Sequence, residues 1–496
     1  MMTPCADIVD ESKSSSIVTL TGHDLSIDEL MGLAGGKHRI KLEKTSFARL
    51  QKSRAVVETM LQSQEPVYGL TTGLGAKVSQ KLDISQLEAF SFQTLRGRAH
   101  AIGEALPVES VRAAMVVRLN TLLKGMSGAS PAVATHLLAC LEKRITPVVG
   151  RIGSIGASDL CLGATLGLSL VGEGFMLTEQ GAVLPSNEVM KTVGLKPLAL
   201  APGDGLALAS NSTFSGAVSA QALHRSILSL KNAQIASAMT MEAFRANPPP
   251  LAPFALTANP QSGQMQVAKE LRKLLKGSRL WNAQIPRKLQ DPLSIRNIVQ
   301  VHGAMASAVN FSRDIIEIEI NASSDNPIVD IEENQVFSCG AYHSAHLTVA
   351  NETVSRAFVQ VVMAQIARMS KLLSSRHSDL PLFLAMPKAN SNGFAPYMKI
   401  AESLVAEIGH LATPVPIWPS VNADGSEDIL SNAMTSAHGL NQIAELGLML
   451  SAIEMIMASQ ALELQGGNQQ IDSDIAVEIK TAYMSVRELV EPLSRV

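Results

Sequence analysis

A chain of 496 residues with 41 basic and 44 acidic side chains carries a formal charge of only −3 and no sizeable run of one sign. That balance argues against a nucleic-acid or anionic-membrane partner. Aromatic residues make up 4% of the chain while Ala, Leu, Met and Ser abound, a composition suited to long packed helices rather than sheets.

Residues 17–40 predict a short strand (Ile17 to Leu20), a turn, and a helix beginning after Ser26. Phe47 to Gln62 is an amphipathic helix ended by Glu65-Pro66, because the residue before proline resists the helical region. A glycine-punctuated loop follows, VYGLTTGLG (67–75), with one tyrosine in it. Residues 84–97, 108–124 and 131–141 are helical by periodicity. Next comes Gly153-Ser154-Ile155-Gly156-Ala157-Ser158-Asp159-Leu160, a run of small residues that lets the backbone fold tightly before an apolar helix over 160–171. Residues 177–197 have weak strand or hairpin character, and 214–246 read as one long helix stopped by Pro248-Pro249-Pro250. Shorter and longer helices follow over 265–276, 298–319, 345–373, 397–413 and 431–464, separated by Gly/Pro/Asn-rich loops. No internal repeat and no linker divides the chain. The expected organisation is a loop-rich region over 1–200 and a long-helix bundle over 201–496, forming one continuous unit.

Cys5, Cys140, Cys161 and Cys339 have neither a CxxC nor a zinc spacing, which predicts buried free thiols in a reducing compartment. The first 16 residues lack an apolar core of signal-peptide length, and no stretch of uninterrupted apolar residues is long enough to span a bilayer. The expectation is a cytoplasmic protein with no membrane partner. GLTTGLG lacks the lysine and preceding strand of a phosphate loop. His343 and His346 have no third ligand at metal spacing, so no metal site is expected. Singly, the loops are ordinary: Ser158 or Asp159 reads as a helix cap, Tyr68 as a packed aromatic and Arg296 as a surface arginine.

Together and in order, the loops resemble one family. VYGLTTGLG (67–75), FQTLRGRAHAIG (92–103), VRAAMVVRLNTLLKGMSGAS (111–130), GSIGASDL (153–160), GLALASNST (205–213), QDPLSIR (290–296), EINASSDNPIVD (319–330), CGAYHSAH (339–346) and GSEDILSNA (425–433) are similar to motifs of the histidine/phenylalanine/tyrosine ammonia-lyase and aminomutase superfamily, closest to histidine ammonia-lyase. The resemblance implies a mainly α fold: a long helical bundle of the ammonia-lyase (fumarase/aspartase-like) type with a loop-rich N-terminal active-site region. It also implies a homotetramer acting on a small amino-acid substrate, and elimination or migration of the α-amino group. The electrophile it implies is a 4-methylidene-imidazol-5-one, made when an Ala-Ser-Gly tripeptide cyclises and loses two waters. By that resemblance Ala157 and Ser158 match the first two residues of the group and Tyr68 the base. Asn211 matches the asparagine that holds the group and the amine, and Arg296 the carboxylate-binding arginine. Gln290 and Tyr342 match pocket positions, and His100 and Glu427 fall where histidine-directed members keep a histidine and a glutamate.

The chain departs from the family at two informative places. Gly156-Ala157-Ser158-Asp159-Leu160 is one residue short of Gly-Ala-Ser-Gly-Asp-Leu, so either the cyclising glycine is deleted or Asp159 stands in its place. Ring closure demands a strained turn that glycine permits and a Cβ hinders. Leu293 stands where the family has a tyrosine; Thr71 and Ala341 stand for asparagines and Ser344 for a glycine. Three readings follow: an ammonia-lyase or aminomutase working through the ring; a member without the ring that uses Tyr68, Arg296 and Glu427 for another elimination or proton transfer on a small carboxylate; or a catalytically silent homologue.

Overall fold

The computed structural model describes residues 16–63, 66–74, 79, 83, 86–286, 288–386, 391–416, 421–465 and 475–493. Cys5, Gly75 and the predicted helix start at 84–85 lie outside the described residues. The fold is mainly helical, as expected from composition and periodicity. Two compact units share the chain: one holds 1–218, 317–345 and 417–434, the other 219–316, 346–416 and 435–496.

In the first unit the strand Ile17–Leu20 pairs in parallel with Arg39–Leu42. Between them lies the helix Ile27–Ala34, started by a capping box in which Ser26 and Glu29 satisfy each other's backbone N–H groups. The helix Val108–Leu122 is the unit's centre and is buried along its whole length from Ser110. Such a helix must satisfy its polar side chains internally. Arg118 does so with a two-pronged bond to Asp325 (2.6 and 3.1 Å), and the Asn120 amide donates to Ile320 O and Asn321 Oδ1. These bonds fasten the 320–326 loop to the helix. The helices Leu87–Arg96, Leu160–Leu170 and Asp204–Ala209 pack on one another and carry the site loops.

The second unit is built from long helices: Ile298–Glu319 up to Ile316, Ala345–Leu373 from His346, Ala395–Leu411 and Ala433–Leu464 from Thr435. The helix Thr213–Phe244 starts in the first unit and continues through the second. Inside the second unit Arg368 pairs with Glu454 at 2.7 Å, both fully buried. Ala433–Leu464 is long and apolar enough to cross a membrane by length and composition, but half of its most apolar window is buried inside the protein, as in a core helix.

The long helices lie within a few residues of their expected bounds. Expectation missed the short pairs Ile102–Ala105 with Gly150–Ile152 and Ile328–Asp330 with Gln335–Phe337, together with the last helix, Val477–Leu489. Of 177–197, expected to have weak strand or hairpin character, Val183–Pro185 pairs with Phe175–Leu177, but Ser186–Thr192 is a helix.

Candidate active site

The small-residue run is pinned from both sides. Ser344 N donates to Gly156 O (3.0 Å), Ser158 N to Tyr342 O (2.9 Å), and Ser431 Oγ to Gly156 O (2.9 Å). Gly156 has φ +76°, and a Cβ there would lie 2.0 Å from Ser431 Oγ and 2.7 Å from Asn432 N, so only glycine fits. Ser158 itself takes φ +74°, an uncommon conformation for a residue with a side chain. The run is thereby held as a tight turn at the mouth of the helix Leu160–Leu170.

This turn floors a cavity of about 380 Å³ that lies wholly within the first unit and is lined by Tyr68, Arg98, Ala157, Ser158, Tyr342 and Glu427, among others. Tyr68 reaches it from a turn closed by Leu70 N and Thr71 N on Val67 O, with Thr71 Oγ1 accepting from Val67 N at 2.8 Å. The hydroxyl of Thr71 thus serves the turn that presents the tyrosine. Burial, helped by Tyr68 and Glu427, raises the Tyr342 phenol above its ordinary value, so it stays protonated and can donate.

Of the residues expected in the site, Tyr68, Ala157, Ser158, Tyr342 and Glu427 are brought together. Asn211 lies behind the cavity wall, with its amide fully used: Nδ2 donates to Ala207 O and Leu208 O at 3.0 Å, and Oδ1 accepts from Thr213. Its backbone carbonyl takes the Asp159 N–H at 2.7 Å. His100 is exposed and does not line the cavity; Arg98, two residues earlier, does. Gln290, Leu293 and Arg296 belong to the second unit, where Arg296 Nη1 donates to Gln290 Oε1 at 2.5 Å and Leu293 is 60% exposed. The signal for Arg98 was present in the FQTLRGRAHAIG motif, but only the helix end at Gly97 determines which following side chain turns inward.

Asp159 is fully buried. Its carboxylate accepts from Ser154 Oγ (2.7 Å), Ser215 N (2.7 Å) and Ser215 Oγ (2.6 Å), so it caps the first turn of the helix Thr213–Phe244 across 56 residues of sequence. Burial raises its pKa, and the bonds from Ser215 and Ser154 pull it back. Nearby, Glu319 is raised to about 7 by burial, with Asp159 adding to the rise against a hydrogen bond from Ser212.

A loop-built cavity lined by two phenols and a carboxylate, in a mainly helical chain, has the make-up of an enzyme site. The chain belongs to the aromatic amino acid lyase family, whose model matches residues 25–488. It is 34% identical to a histidine ammonia-lyase of Anaeromyxobacter dehalogenans over 96% of this chain and 94% of that one. The histidine ammonia-lyase of Symbiobacterium thermophilum is 33% identical over 95% and 92%. Among solved structures it is similar to an ergothioneine-degrading enzyme, ergothionase, of Treponema denticola (TM-score 0.91, 26% identity, 96% of this chain and 95% of that one). A tyrosine aminomutase of Streptomyces globisporus has a TM-score of 0.89 at 26% identity, covering 96% and 93%. These relatives make the protein a member of a family of carbon–nitrogen lyases.

The family generally works through the methylidene-imidazolone electrophile. Ring closure would need the Asp159 nitrogen to attack the Ala157 carbonyl. That nitrogen instead donates to Asn211 O at 2.7 Å, and the residue bearing it is fixed by three further bonds to its carboxylate. The segment does not fit the ring: its third residue is a locked helix cap where the chemistry calls for a freely turning glycine.

Proposed function

We propose that the protein removes the amino group of an α-amino acid, or moves it to the neighbouring carbon, with histidine or a related azole amino acid as the substrate class. The observation that carries this is the convergence of Tyr68, Tyr342 and Glu427 on the Ser158 turn in one cavity of amino-acid size. Tyr68 takes the β-proton, Tyr342 stays protonated and donates, and Glu427 accepts from the substrate side chain. Asn211 and Asp159 hold the Ser158 turn in place. The working form is a cytoplasmic homotetramer.

Asp159 supports a second reading: with no ring to activate the amine, the favoured substrates are those whose amine leaves unaided, as a fully alkylated nitrogen does. Two measurements test these readings on the purified protein. Release of amine is followed from a panel of α-amino acids and their Nα-trimethyl forms, and the intact mass reports whether two waters have left the chain. A ring-free elimination predicts turnover with an unaltered mass. Amine release from primary amino acids by a chain two waters lighter would restore the ring-based reading, and neither amine release nor formation of a β-amino acid from any of the panel overturns the function.

A further inference from the structure

The Ser158 turn rests on one short segment, Asn211 to Ser215. Asn211 O takes the Asp159 N–H at 2.7 Å and, at 3.4 Å, the Ser158 hydroxyl. Ser215 N and Oγ donate to the Asp159 carboxylate. Between them Ser212 is fully buried and held by bonds of its own. Its N–H donates to Ser324 Oγ at 2.9 Å, and its hydroxyl donates to the Glu319 carboxyl. Ser324 adjoins Asp325, which the buried Arg118 holds, so this grip is anchored on the central helix Val108–Leu122. Glu319 also lies against the start of the helix Thr213–Phe244, where a Cβ on Gly216 would come within 3.3 Å of its Cγ. All of the residues from which these bonds are built belong to the first unit.

Two carboxyls therefore serve one segment, Asp159 at Ser215 and Glu319 at Ser212. Glu319 does not line the cavity, and the chemistry proposed above gives it no task. Its bond to Ser212 nevertheless fixes the residue next to Asn211, and a shift of the Asn211 carbonyl passes directly to the Ser158 hydroxyl and the Asp159 N–H. We propose that Glu319 is a positioning residue: by holding Ser212 it sets the Asn211 carbonyl, and through it the Ser158 turn on the cavity floor. This inference rests on the reading of the cavity as an amine-eliminating site. The grip depends on the proton. Among the described residues Asp159 is the charged group that acts on Glu319, and it acts as a like charge. While Glu319 keeps its proton, its other oxygen still accepts from Ser212 and the repulsion is absent. Burial, with Asp159 adding to it against the Ser212 bond, raises the carboxyl to about 7. The closed turn is thus favoured below that value and loosens as pH rises through it.

The test follows amide hydrogen exchange of the peptide spanning 153–160 by mass spectrometry, with kcat and KM for amine release, from mildly acidic to mildly alkaline buffer. After correction for the intrinsic pH dependence of exchange, opening of the wild-type turn should rise roughly tenfold across that range, the equivalent of one pKa unit between closed and open turn. Over the same range kcat should fall while KM changes little. Glu319→Gln keeps an acceptor for Ser212 but cannot ionise, so both pH dependences should flatten. Glu319→Ala removes the acceptor; its turn should exchange fast at every pH, with kcat lowered by about tenfold or more, the scale of a misplaced reacting group. A carboxyl that only adds stability would leave the exchange and kcat profiles of Glu319→Gln parallel to wild type, and that result overturns the assignment. Should Glu319→Ala fail to fold, Glu319→Gln alone carries the comparison. If no compound is turned over yet exchange still follows Glu319, the elimination reading fails and the Glu319 assignment stands. If turnover is seen but neither exchange nor kcat follows Glu319, the assignment alone falls.

Discussion

Replacing Asp159 with alanine should cost both stability and activity, because one carboxylate fastens the site turn to the start of the helix Thr213–Phe244. Three donors lose their acceptor: Ser154 Oγ at 2.7 Å, Ser215 N at 2.7 Å and Ser215 Oγ at 2.6 Å. Each hydrogen bond to a charged group contributes about 1.5–3 kcal/mol. The burial that raises the Asp159 pKa opposes this gain, so the net loss is about 3–5 kcal/mol, the range for breaking a buried charged contact. The serine hydroxyls can rotate toward other acceptors, but the Ser215 N–H in the first helical turn cannot. Asp159→Asn keeps an acceptor for that N–H while setting an amide against the hydroxyls, and should lose roughly half as much. The assay is guanidinium unfolding, followed together with amine release. An Asp159→Ala protein within about 1 kcal/mol of wild type, the ordinary cost of a point substitution, would refute the capping role.

The raised pKa of Glu319 makes stability depend on pH. A carboxyl raised from 4.5 to about 7 holds its proton more tightly when folded, so its contribution is intact below the unfolded pKa and is lost as pH rises through about 7. Full burial would make that loss about 3 kcal/mol; the side chain is only partly covered, which reduces it to about 1–2 kcal/mol. Thermal midpoints of Glu319→Gln should therefore fall less than wild type between mildly acidic and mildly alkaline buffer, and parallel curves would contradict this. Gly156→Ala should displace Ser431 and the backbone at Asn432, both within 2.7 Å of the added carbon, and lower turnover by at least about tenfold, since misplacing a reacting group by about 1 Å costs up to 100-fold. Unchanged turnover would show that the turn is not held as described.

The long helices were legible because each repeats its apolar residues at helical spacing between Pro, Gly or Asn breaks; Thr213–Phe244 lies within two residues of the expected 214–246. Two- to four-residue strands such as Thr146–Pro147 and Ile102–Ala105 carry too few residues for a period to show. Tyr68, Ser158, Tyr342 and Glu427 were found because their loops carry recognisable motifs. Arg98 was passed over for His100 because the path of a chain leaving a helix depends on the turn at Gly97 rather than on residue type. Asp159 was ambiguous for a similar reason: its partner, Ser215, is 56 residues away, and only the fold brings that helix start beside the turn.

Amine release by purified, folded Tyr68→Phe protein, measured with the best wild-type substrate, tests the chemistry most directly. Loss of the phenolic hydroxyl should slow release by about 10²- to 10⁴-fold, the usual contribution of a positioned general base, with the thermal midpoint unmoved. Release within tenfold of wild type would mean that the proton leaves by another route and that Tyr68 is only part of the wall.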